Sequence, residues 1–339
     1  MLLAAAWRRL LVVGAAVAGL WAAVLWVAPS TPSTSPVQPP LRVARLAPAA
    51  PASAAGALRA VIQSGAPAPS GGRFDRFEVT AQPIVAPVNA RGQVAFYATV
   101  LHAAAREGIF LVEGGQVTKV AAFGDSVPGG GTLAEFGAHP LPALNNSGVV
   151  AFPAAIFKGP ALGGIFVAGA RPLHLLVRAG NQLPDGAMIL RFSERVAIDE
   201  AGGIAFGAHL GRDGGTREAV LRAGTDGLTE IALAGDPAPG GGRYAGFGPW
   251  PTTGPSGFTA FIAAVDGEPG PLAAFAGEAG QVSRVATMGE ILPQGGTIGR
   301  FALNAVAAAG PGGALTFATV AQDQGERYAI YCRCPEPAR

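Results

Sequence analysis

The sequence predicts an all-β fold: a five-bladed β-propeller of four-stranded blades, closed by its N-terminal strand and preceded by one N-terminal apolar helix. Three observations carry that expectation. First, a frame of glycine, a proline four residues on and a phenylalanine eight residues past the proline starts at Gly65, Gly124, Gly180, Gly235 and Gly289. The spacing of about 55 residues marks a repeat architecture. Second, the frame N-x-x-G-x-x-A-F runs from Asn89 to Phe96 and from Asn145 to Phe152. It returns in weaker form from Asp199 to Phe206, Gly254 to Phe261 and Gly310 to Phe317. Third, a strand-like segment at Leu58–Ser64 precedes the first unit, and the last unit ends one strand short.

The N-terminus stands apart. Arg8 and Arg9 precede an unbroken apolar stretch from Leu10 to Ala28, long enough for a helix to cross a hydrocarbon core of about 30 Å. The basic flank places the near end in the cytoplasm, and a cleaved signal peptide is the rival reading. On either reading the remainder is exported: held at the inner membrane with the domain in the periplasm or outside the cell, or secreted after cleavage. A twin-arginine signal is matched only loosely by Arg8–Leu11. Residues 1–28 are therefore the anchor or signal segment. Residues 29–57, rich in Pro, Ser, Thr and Ala and nearly uncharged, read as an extended spacer.

Within the repeat domain, residues 58–334, Asn or Asp opening a four-residue turn and Gly closing it is a hairpin signature. In the first unit the hairpin strands read Pro83 to Val88 and Gln93 to Val100. Fourteen residues after each hairpin phenylalanine stands Phe110, Phe166, Val220, Phe275 or Tyr331, on a third strand. The fourth strand carries Val120, Leu176, Ile231 or Val285, and Val61 holds that place ahead of Gly65. The orphan fourth strand Leu58–Ser64, burying Val61, then completes the last blade, which itself stops at Tyr331–Cys334. Radial blades closed in this way leave no open sheet edge. Residues 335–339 form a tail.

The N-x-x-G-x-x-A-F frame, with G-D-x-x-P-G-G-G at Gly124–Gly131 and Gly235–Gly242, resembles a tandem-repeat family of bacterial exported proteins called "choice-of-anchor". The resemblance covers residues 58 to 334. It implies an exported, surface-tethered repeat protein, and it supplies neither an activity nor catalytic residues.

Composition narrows the function. A net charge of +2 from 24 basic and 22 acidic residues leaves no basic stripe for nucleic acid. Cys332 and Cys334 are the only cysteines, which gives no disulfide framework; a metal pair, an intermolecular bridge or incidental tail thiols stay open. Asp125, Asp236 and Glu290 share a corner position with Ala66 and Asn181. Because the corner also forms with alanine, these side chains read as caps on the following Gly-Gly backbone rather than as a ring of metal ligands. Phe77, Phe136, Phe192, Phe247 and Phe301 recur in every unit, with apolar partners three residues earlier, and read as packing between blades.

Polar departures from the repeat are the better candidates for function. If the first hairpin strand lines a central channel, alternation gives three layers. These are Pro83, His139, Ser193, Gly248 and Asn304; Val85, Leu141, Arg195, Trp250 and Val306; and Pro87, Ala143, Ala197, Thr252 and Ala308. One register collects His139, Ser193, Arg195, Trp250, Thr252 and Asn304, a set suited to a small polar or sugar ligand or to plugging a wet channel. The opposite register presents Glu194. Glycosidase chemistry needs two facing carboxylates, and Glu194 is the only acid on the five inner strands. The histidines lack metal-ligand spacing, and no serine sits in an elbow motif. No metal or cofactor is expected. The sequence points to a non-catalytic binding module for a carbohydrate, a cell-envelope component or a protein. A polysaccharide-active hydrolase or lyase and a structural scaffold are the alternatives.

Overall fold

The computed structural model describes residues 60–79, 82–83, 86–137, 140–212, 214–254, 257–267, 272–292, 295–301, 308–309, 315–322 and 326–333. The N-terminal apolar segment, the spacer, His139, Asn304, Val85, Val306, Cys334 and the tail lie outside them. The described residues are all-β. The first unit contains β1 (Arg73–Phe74), β2 (Glu78–Val79), β3 (Gln82–Pro83), β4 (Val94–Leu101), β5 (Glu107–Glu113) and β6 (Gln116–Ala122). The second contains β7 (Thr132–Leu133), β8 (Ala143–Leu144), β9 (Val149–Phe157), β10 (Gly163–Gly169) and β11 (His174–Arg178). The third contains β12 (Met188–Ile198), β13 (Ile204–Arg212), β14 (Gly215–Gly224) and β15 (Gly227–Leu233). The fourth contains β16 (Arg243–Phe247), β17 (Thr252–Thr253), β18 (Thr259–Asp266), β19 (Leu272–Glu278) and β20 (Gln281–Thr287). The fifth contains β21 (Thr297–Phe301), β22 (Ala308–Ala309), β23 (Leu315–Gln322) and β24 (Glu326–Arg333).

Each unit forms its own antiparallel meander, in orders such as β1-β4-β5-β6 and β12-β13-β14-β15. The first strand of the meander begins earlier than the hairpin reading predicts. Phe74, Leu133, Ile189, Tyr244 and Ile298 pair with Val100, Ile156, Leu210, Val265 and Ala321 at the far end of the second strand. Past that point the described residues leave the first strand in the first, second and fourth sheets, whereas in the third sheet β12 runs on with two register shifts. In the first unit the described residues of the expected strand Pro83–Val88 make no continuous strand. Gln82 and Pro83 belong to a separate small hairpin with β2, and only Val88 bridges to Val94. Pro83 and Pro87 have no N–H to offer the ladder.

The second and third strands follow the predicted phenylalanines. Phe96, Phe152, Phe261 and Phe317 sit opposite Phe110, Phe166, Phe275 and Tyr331. In the third sheet Leu221, not Val220, faces Phe206, because the loop between those strands is one residue longer. Phe96 and Phe110 stack with ring centroids 5.6 Å apart, as do Phe261 and Phe275. Burying each ring contributes about 1.5–3 kcal/mol.

The two repeated motifs build the two ends of each sheet. At one end the glycine that opens each frame donates its N–H to the carbonyl of the strand-opening apolar residue, as from Gly124 to Leu133 at 2.8 Å. The corner side chains cap backwards: Asp125, Asn181 and Glu290 accept from the N–H three residues earlier, on Ala122, Arg178 and Thr287. The expected bond to the following Gly-Gly backbone is replaced by this one, since the turn brings the preceding strand end closest. Gly131 has φ +85°, and a Cβ there would lie 2.7 Å from the backbone of Gly159. Gly129, at φ +94°, has open space around it. Gly131→Ala should therefore cost about 2–3 kcal/mol in thermal or urea unfolding, and Gly129→Ala only the left-handed penalty of about 1–2 kcal/mol.

At the opposite end the N-x-x-G turns bond to one another across sheets. Asn89 Oδ1 accepts from the N–H groups of Arg91 and Gln93, and its Nδ2 donates 2.9 Å to the carbonyl of Asn145 in the next sheet. Asn145 repeats the step, donating 3.0 Å to the carbonyl of Asp199. Asp199 carries the same turn through its bond from Gly203 N–H and accepts from Arg222 at 2.6 Å. The frame visible in sequence is thus both a turn and an inter-sheet tie.

The core lies between sheets rather than beneath one. Ala95, Tyr97 and Ala121 of the first sheet pack with Leu133, Phe136 and Phe152 of the second. The pattern continues from second to third, third to fourth and fourth to fifth. Phe136, Phe192, Phe247 and Phe301 sit in these layers, Phe136 and Phe301 buried and the other two half-buried, whereas Phe77 packs on the first sheet's own cluster of Phe74, Phe96 and Phe110 rather than between sheets. First strands of successive sheets are also neighbours: β12 lies against β8 on one side and β17 on the other, and β17 against β22.

The two chain ends of the array differ from the interior. Residues 60–64 form no strand, and Val61 is 48% exposed rather than buried. Sheets one to four each have a fourth strand, whereas β24 pairs only with β23 among the described residues. Ile330 on β24 is 79% exposed, although its counterparts Ile109, Ile165, Val220 and Ala274 are all at 0%. Those four pair in register with Ala121, Val177, Ala232 and Ala286 of the fourth strands, and each pair lies in the apolar layer against the next sheet. By count from the frame glycine, Ile62 is the next member of that set. It packs on the cluster of Phe74, Phe96 and Phe110 in the first sheet.

Candidate functional site

Of the six inner-strand candidates, the structure brings Arg195 and Trp250 together. The Arg195 guanidinium lies 5.3 Å from the Trp250 ring, across the boundary between the third and fourth sheets. Arg195 also bridges in parallel to Leu141 of the second sheet. Among the described residues no carboxylate pairs with it, and burial holds its pKa below the ordinary arginine value. A guanidinium resting on an indole keeps in-plane N–H donors for a third party. Thr252 opens β17 opposite Ala260, on the strand that neighbours β12.

Ser193 is placed differently. Its hydroxyl occupies the space that a Cβ on Gly207 of β13 would take, so it lies against its own sheet. The reason is local: between Phe192 and Val196 three residues of β12 face only Gly207 on β13. Strict alternation, from which the three layers were counted, does not survive such a bulge. The same segment holds Glu194 and Arg195 in β12.

A second polar constellation lies at the sheet end that carries the Gly-Pro corners. A cavity of 440 Å³ between the first and second sheets is lined by Asp75, Arg76, Tyr97, Thr99, Arg106 and Glu107, with Glu135 and Phe136 as its far wall. The buried Tyr97 donates its hydroxyl to Glu107 Oε2 at 2.6 Å. Burial first, and then that carboxylate, push the tyrosine pKa well above its ordinary value. Thr99 Oγ1 donates to Asp75 Oδ2 at 3.3 Å and accepts from Arg76 N–H at 3.0 Å. Arg106 reaches Glu107 at 3.9 Å while its guanidinium covers Phe123 at 4.2 Å. Glu135 and Phe136 also border an apolar cavity of 290 Å³ between the second and third sheets.

The sequence reading missed this cluster because it searched for departures only on the first hairpin strand. Tyr97, Thr99 and Glu107 stand at the end of the second strand and the start of the third, where the in-register residues of the second sheet are Pro153, Ala155 and Gly163. Comparing units along those strands would have found them. Among the described residues, no three His, Cys, Asp or Glu side chains are grouped as a metal ion would require.

Fold and sites together define an all-β repeat protein of five consecutive meander sheets with polar clusters between them. A family model described as "Family of unknown function (DUF7453)" matches residues 34–331, most of the chain, and the chain belongs to that family. The match starts within the segment read as a spacer and ends in β24. No curated protein matches the chain.

Proposed function

We propose that this is an exported β-propeller that acts as a non-catalytic binding module, held at the membrane by its N-terminal apolar segment or released after cleavage of that segment. The reading of the five sheets as blades rests on the sequential packing of their first strands and on the core layers between them. Closure by Leu58–Ser64 rests on the missing fourth strand beside β24, the exposed Ile330 and the docking of Ile62 on the first sheet. Export agrees with the likeness to the choice-of-anchor repeat family.

The observation that carries binding is Arg195 on Trp250. A desolvated cation with spare donors beside an aromatic face suits a ligand with hydroxyl or carboxylate groups, such as a glycan or another envelope component. The full chain in detergent, screened against glycans and cell-envelope extracts, should yield a ligand. Arg195→Ala and Trp250→Ala should each weaken its binding by roughly tenfold, as loss of a charged hydrogen bond or a stacking face does. Their melting temperatures should stay within a few degrees. A screen without any ligand would favour a scaffold instead.

A further inference from the structure

The polar cluster between the first and second sheets recurs in a way the fold does not demand. By strand register, the places of Arg76, Thr99, Arg106 and Glu107 are taken in the third sheet by Arg191, His209, Arg217 and Glu218. There Arg191 contacts His209 at 3.3 Å, and Glu218 accepts the Phe247 N–H at 3.1 Å. The second and fourth sheets fold with Ala155, Leu162 and Gly163, and with Ala264, Pro271 and Leu272, in the last three of those places. Their first-strand residues are Glu135 and Gly246. Neither the strand pairing nor the core therefore requires Arg76, Arg106 and Glu107 of the first sheet.

What the first-sheet cavity offers is a fixed alternation of donors and acceptors. Three carboxylates, two guanidiniums and two hydroxyls surround one space of 440 Å³, which is within the size range of small-ligand sites. The charged groups satisfy one another only partly. Arg76 reaches Asp75 at 3.5 Å and Arg106 reaches Glu107 at 3.9 Å, while the arginine side chains stay 68% and 62% exposed. The buried Tyr97 holds Glu107 from one side and leaves its other oxygen toward Arg106. Vicinal hydroxyls both donate and accept, so they can enter such an array without leaving a group unpaired. With Asp75, Glu107 and Glu135 against Arg76 and Arg106, acidic groups outnumber basic ones on the walls, which disfavours a polyanion.

We propose that this cleft is a neutral-saccharide site, separate from the Arg195–Trp250 contact. The proposal deepens the binding-module reading, but it has its own test. The full chain in detergent is titrated calorimetrically with cellohexaose, xylohexaose, mannohexaose and maltohexaose, and with trigalacturonate as the acidic comparison. At least one neutral hexamer should bind. Glu107→Gln, which keeps an acceptor for Tyr97, combined with Arg106→Gln should weaken that binding by at least about tenfold, the loss expected for hydrogen bonds to charged groups. The melting temperature of this double variant should be unchanged, and Arg195→Ala with Trp250→Ala should leave the same binding intact. Silence across the neutral panel, binding of trigalacturonate alone, or a hexamer held equally by the cleft variant would each overturn the proposal. A hexamer lost on Arg195→Ala and Trp250→Ala but kept by the cleft variant would overturn it while leaving the inner-strand reading in place.

Discussion

Deleting residues 58–64 from the full chain should lower the melting temperature by roughly 10 °C and convert the protein into a species that self-associates. The estimate follows from what the segment covers. In the four sheets with a fourth strand, Ile109, Ile165, Val220 and Ala274 are sealed in the apolar layer that their sheet and its fourth strand form with the next sheet, whereas Ile330 stands open. Covering Ile330 and fully burying Ile62 contributes about 1.5–3 kcal/mol each, and several ladder bonds add about 1 kcal/mol apiece. At the upper end these gains reach about 11 kcal/mol, and ordering the seven residues at the low end of about 1–2 kcal/mol each takes back about 7 kcal/mol. A net of about 4 kcal/mol corresponds to a shift of about 10 °C for a domain of this size. The exposed β24 edge then becomes a template for pairing with another copy.

The register of the closing strand can be tested directly. In all four complete sheets the third and fourth strands share one bulge, located at Ile109/Phe110, Ile165/Phe166, Val220/Leu221 and Ala274/Phe275. Transferred to the fifth sheet, that register puts Ile62 opposite Ile330. Cysteines at those two positions, with Cys332 and Cys334 replaced by serine, should form an intramolecular disulfide on mild oxidation. Cross-linked dimers with no monomeric disulfide would mean that the strand is exchanged between copies. A truncated chain that melts like the intact one would remove the closure model altogether.

Legibility in the sequence follows the strength of local physics. The second and third strands were readable because a turn with fixed chemistry, Asn or Asp and then Gly, sets the start of one strand, and a large apolar residue on each marks their pairing. Phe96 against Phe110 and Phe261 against Phe275 are the product. The first strand was misplaced because its best-paired part, at Phe74 or Leu133, meets the second strand at its far end. That contact depends on the corner returning the chain, and no period-two alternation announces it over two residues. The recurrent phenylalanines were therefore understood as packing groups but not as markers of strands.

The candidate sites were legible only where a single side chain carries the signal. Arg195 and Trp250 stand out in any unit-by-unit comparison, and the structure places them in contact. Ser193 was grouped with them by counting, and a bulge of the kind seen between Phe192 and Val196 cannot be counted from sequence. The Tyr97–Glu107 pair joins two strands across a hairpin. Its chemistry becomes visible only when the register is known.

The second large effect belongs to Asp199. Its carboxylate is fully buried and holds both the N–H of Gly203 and the Arg222 guanidinium, at 2.7 and 2.6 Å. Arg222 in turn lies where a Cβ on Gly257 would fall, 2.7 Å away, so it spans from the third turn to the fourth. Asp199→Ala strands that arginine without its acid and removes the cap from the turn. Breaking a buried pair from one side costs about 3–5 kcal/mol. Asp199→Asn keeps a cap oxygen for Gly203, as Asn145 does for Val149 in the preceding sheet, and loses only the charge. Urea unfolding should therefore rank the wild type above Asp199→Asn and that above Asp199→Ala, with the alanine variant losing about 3 kcal/mol or more. Asn145→Ala, which breaks one neutral tie and one turn bond, should lose about 1–2 kcal/mol. If Asp199→Ala unfolded no more easily than Asn145→Ala, the charged step from Asp199 through Arg222 would not be the strong joint in the ladder. The third and fourth sheets would then be held together by their apolar layer of Val220, Ala232, Tyr244 and Phe261, with the Glu218–Phe247 bond and the Arg195–Trp250 contact beside it.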